Sequence, residues 1–348
     1  MAEWHIYRDT KEPHDRIDQL PPPPKWRNFR GRVIKQQKIQ EYQTDEREKE
    51  RALSFEVGPE ETELVNAALY LRRPLLITGK PGVGKSSLAY SVAFQLNLGR
   101  VLYWPITTRS TVEEGLYRYD AVGRFQDLQV HFQELQIAGI KGNDCDFHKK
   151  IRSVPDIGHY IRLGPLGTAL LPSERPKVLL IDEIDKSDID LPNNLLNIFE
   201  EGEFEIPEIS RLYSDSDFDK NIEILPSDSN ERIPVQRGRV MCKAFPFIVL
   251  TSNGERELPV PFLRRCIQMK IEQPSPEKLK RIVESHFENT TEDTKRLIET
   301  FLERREKGPL ATDQLLNAIY LRRNGIEISS KENLINAVLK TLDAMETP

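Results

Sequence analysis

Between Val57 and Glu272, short apolar runs alternate with helical patterns. The runs stand at Pro74–Thr78, Arg100–Thr107, Val178–Asp182, Phe247–Thr251 and Ile267–Ile271, and amphipathic stretches such as Ser86–Leu96 and Leu191–Glu201 lie between them. Apolar runs this short, each followed by a helix, are the pattern of strands buried on both faces of a parallel sheet. From Gln273 the pattern turns helical, over Glu277–Phe287, Asp293–Arg305, Asp313–Arg323 and Lys331–Met345. Pro274 and Pro276 mark the change, as prolines at helix starts do. The expected fold class is α/β, a five-stranded parallel sheet sandwiched by helices and followed by an all-helical domain. Two intervals, Thr108–Lys177 and Gly202–Ala244, are too long for simple crossovers and predict insertions at about 108–140 and 203–240.

Residues 1–55 differ in character from the rest of the chain. Pro21–Pro24 favours an extended segment, and the charged run KQQKIQEYQTDEREKER has no continuous apolar face. This arm is expected to be a partly disordered or partner-docked extension, ahead of an α/β domain at 56–272 and a helical lid at 273–348. With 38% hydrophobic and 30% charged residues, the composition is that of a soluble globular protein. The net charge of −5 gives no global attraction to nucleic acid or anionic membrane. Cys145, Cys242 and Cys266 form no ligand or disulfide pattern, and no stretch approaches the ~18 apolar residues of a membrane span. A cytoplasmic location is expected.

Gly79-Lys80-Pro81-Gly82-Val83-Gly84-Lys85-Ser86 is a complete phosphate-binding loop, preceded by the strand pattern PLLIT and followed by the helical one over Ser86–Leu96, with Ser87 counted among the nucleotide-binding residues. Its glycines let backbone N–H groups wrap phosphate oxygens, and the helix start adds a favourable dipole. Lys85 suits the β and γ phosphates, and the Ser86 hydroxyl suits Mg²⁺. Val178-Leu179-Leu180-Ile181-Asp182-Glu183 delivers two carboxylates at the end of an apolar run. Asp182 is the candidate second Mg²⁺ residue, through the ion's water shell. Glu183 is the candidate general base.

With these motifs the chain resembles the AAA+ superfamily and, within it, the MoxR-like ATPases. Asp182-Glu183-Ile184-Asp185-Lys186 and the adjoining LPNNLLNIFEEGEFEI carry the MoxR likeness, which runs from about Val57 to Leu321. It implies that Asn253, closing Thr251-Ser252-Asn253, is the sensor 1 residue that positions the attacking water. It implies that Arg265, in Leu258–Cys266, is an arginine finger acting on a neighbouring subunit's site, with Arg264 in reserve. Val57 and Gly58 are placed near the adenine. At the sensor 2 position the likeness breaks: Gln314 stands where the family offers an arginine, and Arg322 or Arg323 is left to compensate. The first insertion is expected as a β-hairpin over Tyr117–Phe125 with its turn at Gly123. Its aromatics either face a ring's channel or pack the insertion's own core. The second is expected as a hairpin with strands near Gly202–Ile206 and Ile233–Arg239.

The resemblance implies an ATP- and Mg²⁺-dependent hydrolase, a homo-oligomeric ring, most simply a hexamer, and chaperone-like work on a protein client. A partner bearing a von Willebrand factor A domain is the class it suggests. Two alternatives stay open. One is a nucleic-acid-directed motor of a restriction or defence system, for which Lys25–Arg32 interleaves aromatics with charge although the acidic balance argues against nucleic acid. The other is a slow nucleotide-gated switch or scaffold.

Overall fold

A computed structural model describes residues 3–8, 10–33, 45–137, 156–212, 221–287, 291–306, 308, 310–324 and 338–339, with side chains omitted for 135–137. Five parallel strands form the central sheet in the order Ile267–Lys270, Leu75–Thr78, Phe247–Ser252, Val178–Asp182, Val101–Pro105. Alternation along each strand feeds two separate cores. Leu76, Leu179, Ile181, Ile248 and Leu250 face one; Leu75, Ile77, Val178, Leu180, Phe247 and Val249 face the other. Both faces are covered, which is why these strands read as unbroken apolar runs.

The helix Ser87–Gln95 succeeds the phosphate loop and is buried along nearly its whole length. The helix Asp190–Glu201 buries Leu191, Leu195, Ile198 and Phe199, one stripe at helical spacing. It stops at Gly202, whose left-handed φ of 66° lets its N–H return to the Ile198 carbonyl. Helices Pro276–His286, Glu292–Arg305 and Thr312–Arg323 pack around Leu279, Val283, Phe301, Leu315 and Ile319, a third core joined by Leu339. The remainder of the helix expected over Lys331–Met345 lies outside the described residues.

Both insertions differ from the simple hairpins that the sequence suggests. Tyr117–Tyr119 pairs antiparallel with Ile161–Leu163, far along the chain. Gly123 is not at a hairpin turn: it lies in the first turn of a helix, Ala121–Ile137, and donates its N–H to Asp120 Oδ1 at 2.8 Å. Tyr117 and Tyr119 pack against the main core, and Tyr117 donates to Glu208 at 2.8 Å, whereas Phe125 is exposed. The second insertion is a four-stranded sheet in the order Glu203–Glu205, Arg239–Met241, Ile233–Gln236, Asn221–Ile224. The middle of the acidic loop expected there, residues 213–220, falls outside the described residues.

The N-terminal arm, expected as a partly disordered or partner-docked extension, packs against the body at several points within residues 3–8 and 10–33. Asn66, fully buried, accepts the Ile6 and Tyr7 N–H groups at 2.7 and 2.9 Å and donates to the Tyr7 carbonyl at 2.9 Å. Tyr7 hydrogen-bonds Ser91 on the helix after the phosphate loop at 2.8 Å. Arg175 binds Asp15 and Asp18 at 2.9 and 2.6 Å. Arg27 lies over Phe29 and Phe245, and its burial depresses the guanidinium below the usual arginine range. Cys242 and Cys266 are buried, which pushes both thiols up to about 12 and keeps them protonated.

Candidate active site

A cavity of about 380 Å³ opens where the phosphate loop, the segment Arg51–Glu56, the carboxyl ends of the sheet and the helical lid meet. This is the place where open α/β sheets hold ligands. Pro81, Gly82, Val83, Gly84, Lys85, Ser86 and Ser87 line it. Gly82 and Gly84 take φ of 76° and 91°, and a Cβ on Gly82 would stand 2.3 Å from Ala311 Cβ of the lid. The Thr312 N–H reaches the Gly82 carbonyl at 3.3 Å, so the lid abuts the loop directly. From the opposite side, Phe55 approaches Gly84 closely enough to meet a Cβ there at 3.3 Å.

Lys85 Nζ donates to the carbonyls of Gly79 and Lys80 at 2.8 and 2.9 Å and to Asn253 Oδ1 at 2.6 Å. Burial pushes its ammonium below the ordinary lysine value, and the carboxylates of Asp185, Asp182 and Glu183 oppose that shift. Ser86 Oγ donates to Asp182 Oδ1 at 2.8 Å. Thr251 Oγ1 donates to the same oxygen at 2.6 Å, and Tyr103 OH to Oδ2 at 3.2 Å. Burial, then the nearby Asp182 charge, raises the Tyr103 hydroxyl to about 12, so it stays a donor. Hydroxyl and carboxylate oxygens in contact are the hard donor set that Mg²⁺ takes.

Glu183 begins the turn Ile184–Lys186 with φ 61° and ψ 51°, an uncommon conformation for a residue with a side chain. Its N–H donates to Thr251 Oγ1 at 2.8 Å, fixing the turn to the neighbouring strand. Asn253 Nδ2 reaches Glu183 Oε1 at 3.2 Å, and Lys186 Nζ reaches Oε2 at 2.8 Å. That contact raises the Lys186 ammonium. Asn253 therefore bridges Lys85 and Glu183 with its two amide atoms.

Other candidates stand elsewhere. Val57 and Gly58 are not among the lining residues; Arg51, Ser54, Phe55 and Glu56, just upstream, are. Phe55 is extended directly after a helix, Glu46–Ser54, whose helical ending the sequence leaves unmarked. Arg265 does not line this cavity. It lies just beyond the short helix Val260–Leu263, half exposed, paired with Glu200 and donating to the Pro261 carbonyl at 3.3 Å. Gln314 accepts the Ala311 N–H at 2.9 Å, on its own helix start. Neither lid arginine takes its place in the cavity: Arg322 pairs with Asp293 at 3.1 Å, and Arg323 stacks on Phe287. Lys278, Ile282, His286 and Leu316 bring the lid to the cavity instead.

Sheet order, the phosphate loop and the carboxylate-bearing strand one place removed from it, across Phe247–Ser252, define a P-loop AAA+ α/β ATPase fold. Residues 74–266 match the AAA domain of the dynein-related subfamily, and the chain belongs to that family. A comparison with curated proteins finds no match. Membership carries nucleotide binding and hydrolysis as the family's general activity, and it suggests oligomeric assembly. Among the described residues, no helix is long and apolar enough to cross a membrane.

Proposed function

We propose that the protein is a MoxR-like ATPase that hydrolyses ATP at subunit interfaces of a ring and uses the cycle to remodel, activate or assemble a protein partner. The observation that carries the hydrolytic part is one connected set of contacts, Ser86–Asp182 at 2.8 Å and Lys85–Asn253–Glu183 at 2.6 and 3.2 Å. Ser86 and Asp182 would hold Mg²⁺, which supplies charge neutralisation at the phosphates when bound. Lys85 would exchange the Gly79 and Lys80 carbonyls for phosphate oxygens. Glu183 would take a proton from the attacking water, with Asn253 orienting it.

Among the described residues, no arginine of the lid lines the cavity, and Arg51 is the arginine that does. Arg51 lies over the Tyr90 ring, and Arg265, half exposed beside Glu200, is the side chain proposed to meet charge developing at a neighbouring subunit's γ-phosphate. Such arginines are worth about 10³–10⁵ in rate elsewhere. The partner class is proposed from the MoxR resemblance and includes proteins with a von Willebrand factor A domain. Of the basic arm Lys25–Arg32 on which the nucleic-acid reading draws, Arg27 and Phe29 pack against Phe245, while Lys25, Trp26, Arg30 and Arg32 stay exposed.

The test mixes two inactive variants. Arg265→Ala and Glu183→Gln each lose turnover alone, and mixing them restores a measurable fraction, since an interface pairing an intact Glu183 with an intact Arg265 forms again. Absence of rescue at concentrations where mixed oligomers are seen by light scattering would contradict the shared-site reading.

A further inference from the structure

We infer that Asp185 is a positioning residue for hydrolysis, acting through Asn253; the inference rests on the hydrolytic reading above. Asp185 is 3% exposed and stands in the turn Ile184–Lys186, two residues beyond Glu183. Its Oδ2 accepts two backbone N–H groups, those of Asn253 and Glu255, both at 3.0 Å. Between them lies Gly254, with φ of 81° and its own N–H on Ser252 Oγ at 3.1 Å. One carboxylate oxygen thus fixes the backbone on both sides of the glycine. That leaves the Asn253 side chain aimed between Lys85 at 2.6 Å and Glu183 at 3.2 Å. Arg256 closes the same pair of turns by donating to the Ser187 carbonyl at 2.7 Å.

The turn that raises Glu183 toward the cavity is the turn that sends Asp185 inward. General base and water-orienting amide therefore share one support. One side-chain oxygen accepting both N–H groups satisfies two backbone donors and ties the backbone on either side of Gly254. Without those bonds, Gly254 leaves the Asn253 backbone free to rotate, and a displacement of ~1 Å at a reacting group costs on the order of 100-fold in rate. The other Asp185 oxygen, Oδ1, is buried with no hydrogen-bond partner among the described residues. Asparagine can therefore replace Asp185 with its carbonyl on the two N–H groups.

The experiment measures kcat, KM and the Kd of a fluorescent ATP analogue for Asp185→Ala, Asp185→Asn, Asn253→Ala and the double variant Asp185→Ala with Asn253→Ala. Asp185→Ala is expected to lower kcat by about 100-fold while Kd moves by less than about threefold. Asp185→Asn keeps kcat within about threefold of the unmodified protein. The double variant is no slower than Asn253→Ala alone, because Asp185 has nothing left to position. Multiplying losses in the double variant would overturn the inference, as would an Asp185→Asn variant that melts normally yet turns over as slowly as Asp185→Ala. The asparagine variant decides alone should Asp185→Ala not fold. Full turnover by Asn253→Ala removes the hydrolytic role of Asn253 and the inference with it. Loss in Asn253→Ala with none in Asp185→Ala removes the inference only.

Discussion

Lys85→Ala is expected to lose nucleotide binding and, with it, all measurable ATP turnover. The ammonium is held inside the loop by three acceptors, the carbonyls of Gly79 and Lys80 and Asn253 Oδ1. Burial already disfavours its charge, so the anionic phosphates are its natural counter-ion. A charge-assisted hydrogen bond contributes ~1.5–3 kcal/mol, which converts to roughly 10–100-fold in affinity for each such bond to phosphate that the variant cannot make. Equilibrium titration with a fluorescent ATP analogue reads the loss. Removal of the side chain leaves Asn253 Oδ1 without this donor and the loop carbonyls open to water, so only a small change in melting temperature accompanies it. Unchanged nucleotide affinity would remove Lys85 from the site.

Glu183→Gln separates binding from hydrolysis. The amide keeps the size of the side chain and can still accept from Asn253 Nδ2, but it cannot take a proton from water. General-base catalysis contributes about 10²–10⁴-fold, and turnover should fall by that factor while ATP binds as tightly as before. Lys186 loses its carboxylate partner in this variant. The pair is a partly exposed one of i,i+3 spacing, and surface pairs of this kind contribute about 0.2–1 kcal/mol, so the fold is expected to persist. Rapid-quench measurement of phosphate release in a single turnover checks the step directly. Hydrolysis at the unmodified rate would move the base elsewhere.

Much of this arrangement is legible in the sequence, for reasons that are local. The five core strands announce themselves because burial on both faces demands continuous apolar runs, as in Val178–Ile181 and Phe247–Leu250. The phosphate loop declares itself because its glycines, lysine and serine are fixed in spacing by the backbone they must form. The joining of Lys85, Asn253 and Glu183 becomes natural once their strands lie side by side in the sheet.

What the sequence conceals depends on partners far along the chain. Tyr117–Tyr119 is three residues long, too short for any periodicity, and its partner strand begins at Ile161. Gly123 invites a turn, yet Asp120 three residues earlier is a helix-start signal that the structure uses. The arm is anchored by isolated apolar residues, Ile6, Tyr7 and Ile17, and by a single asparagine about sixty residues away. Composition averages such anchors into the polar segment around them. Asp185 is hidden for another reason: in DEIDK it reads as one more acid, and only the fold turns it away from solvent toward Asn253 and Glu255.

The most direct measurement is the steady-state ATPase rate per subunit against concentration of the unmodified protein, with Lys85→Ala as the control. A site completed by a neighbour's Arg265 predicts a rate per subunit that climbs as oligomers form and then levels, with the control silent throughout. A rate per subunit that stays constant from fully monomeric to fully assembled protein, or no hydrolysis at any concentration, would contradict the account.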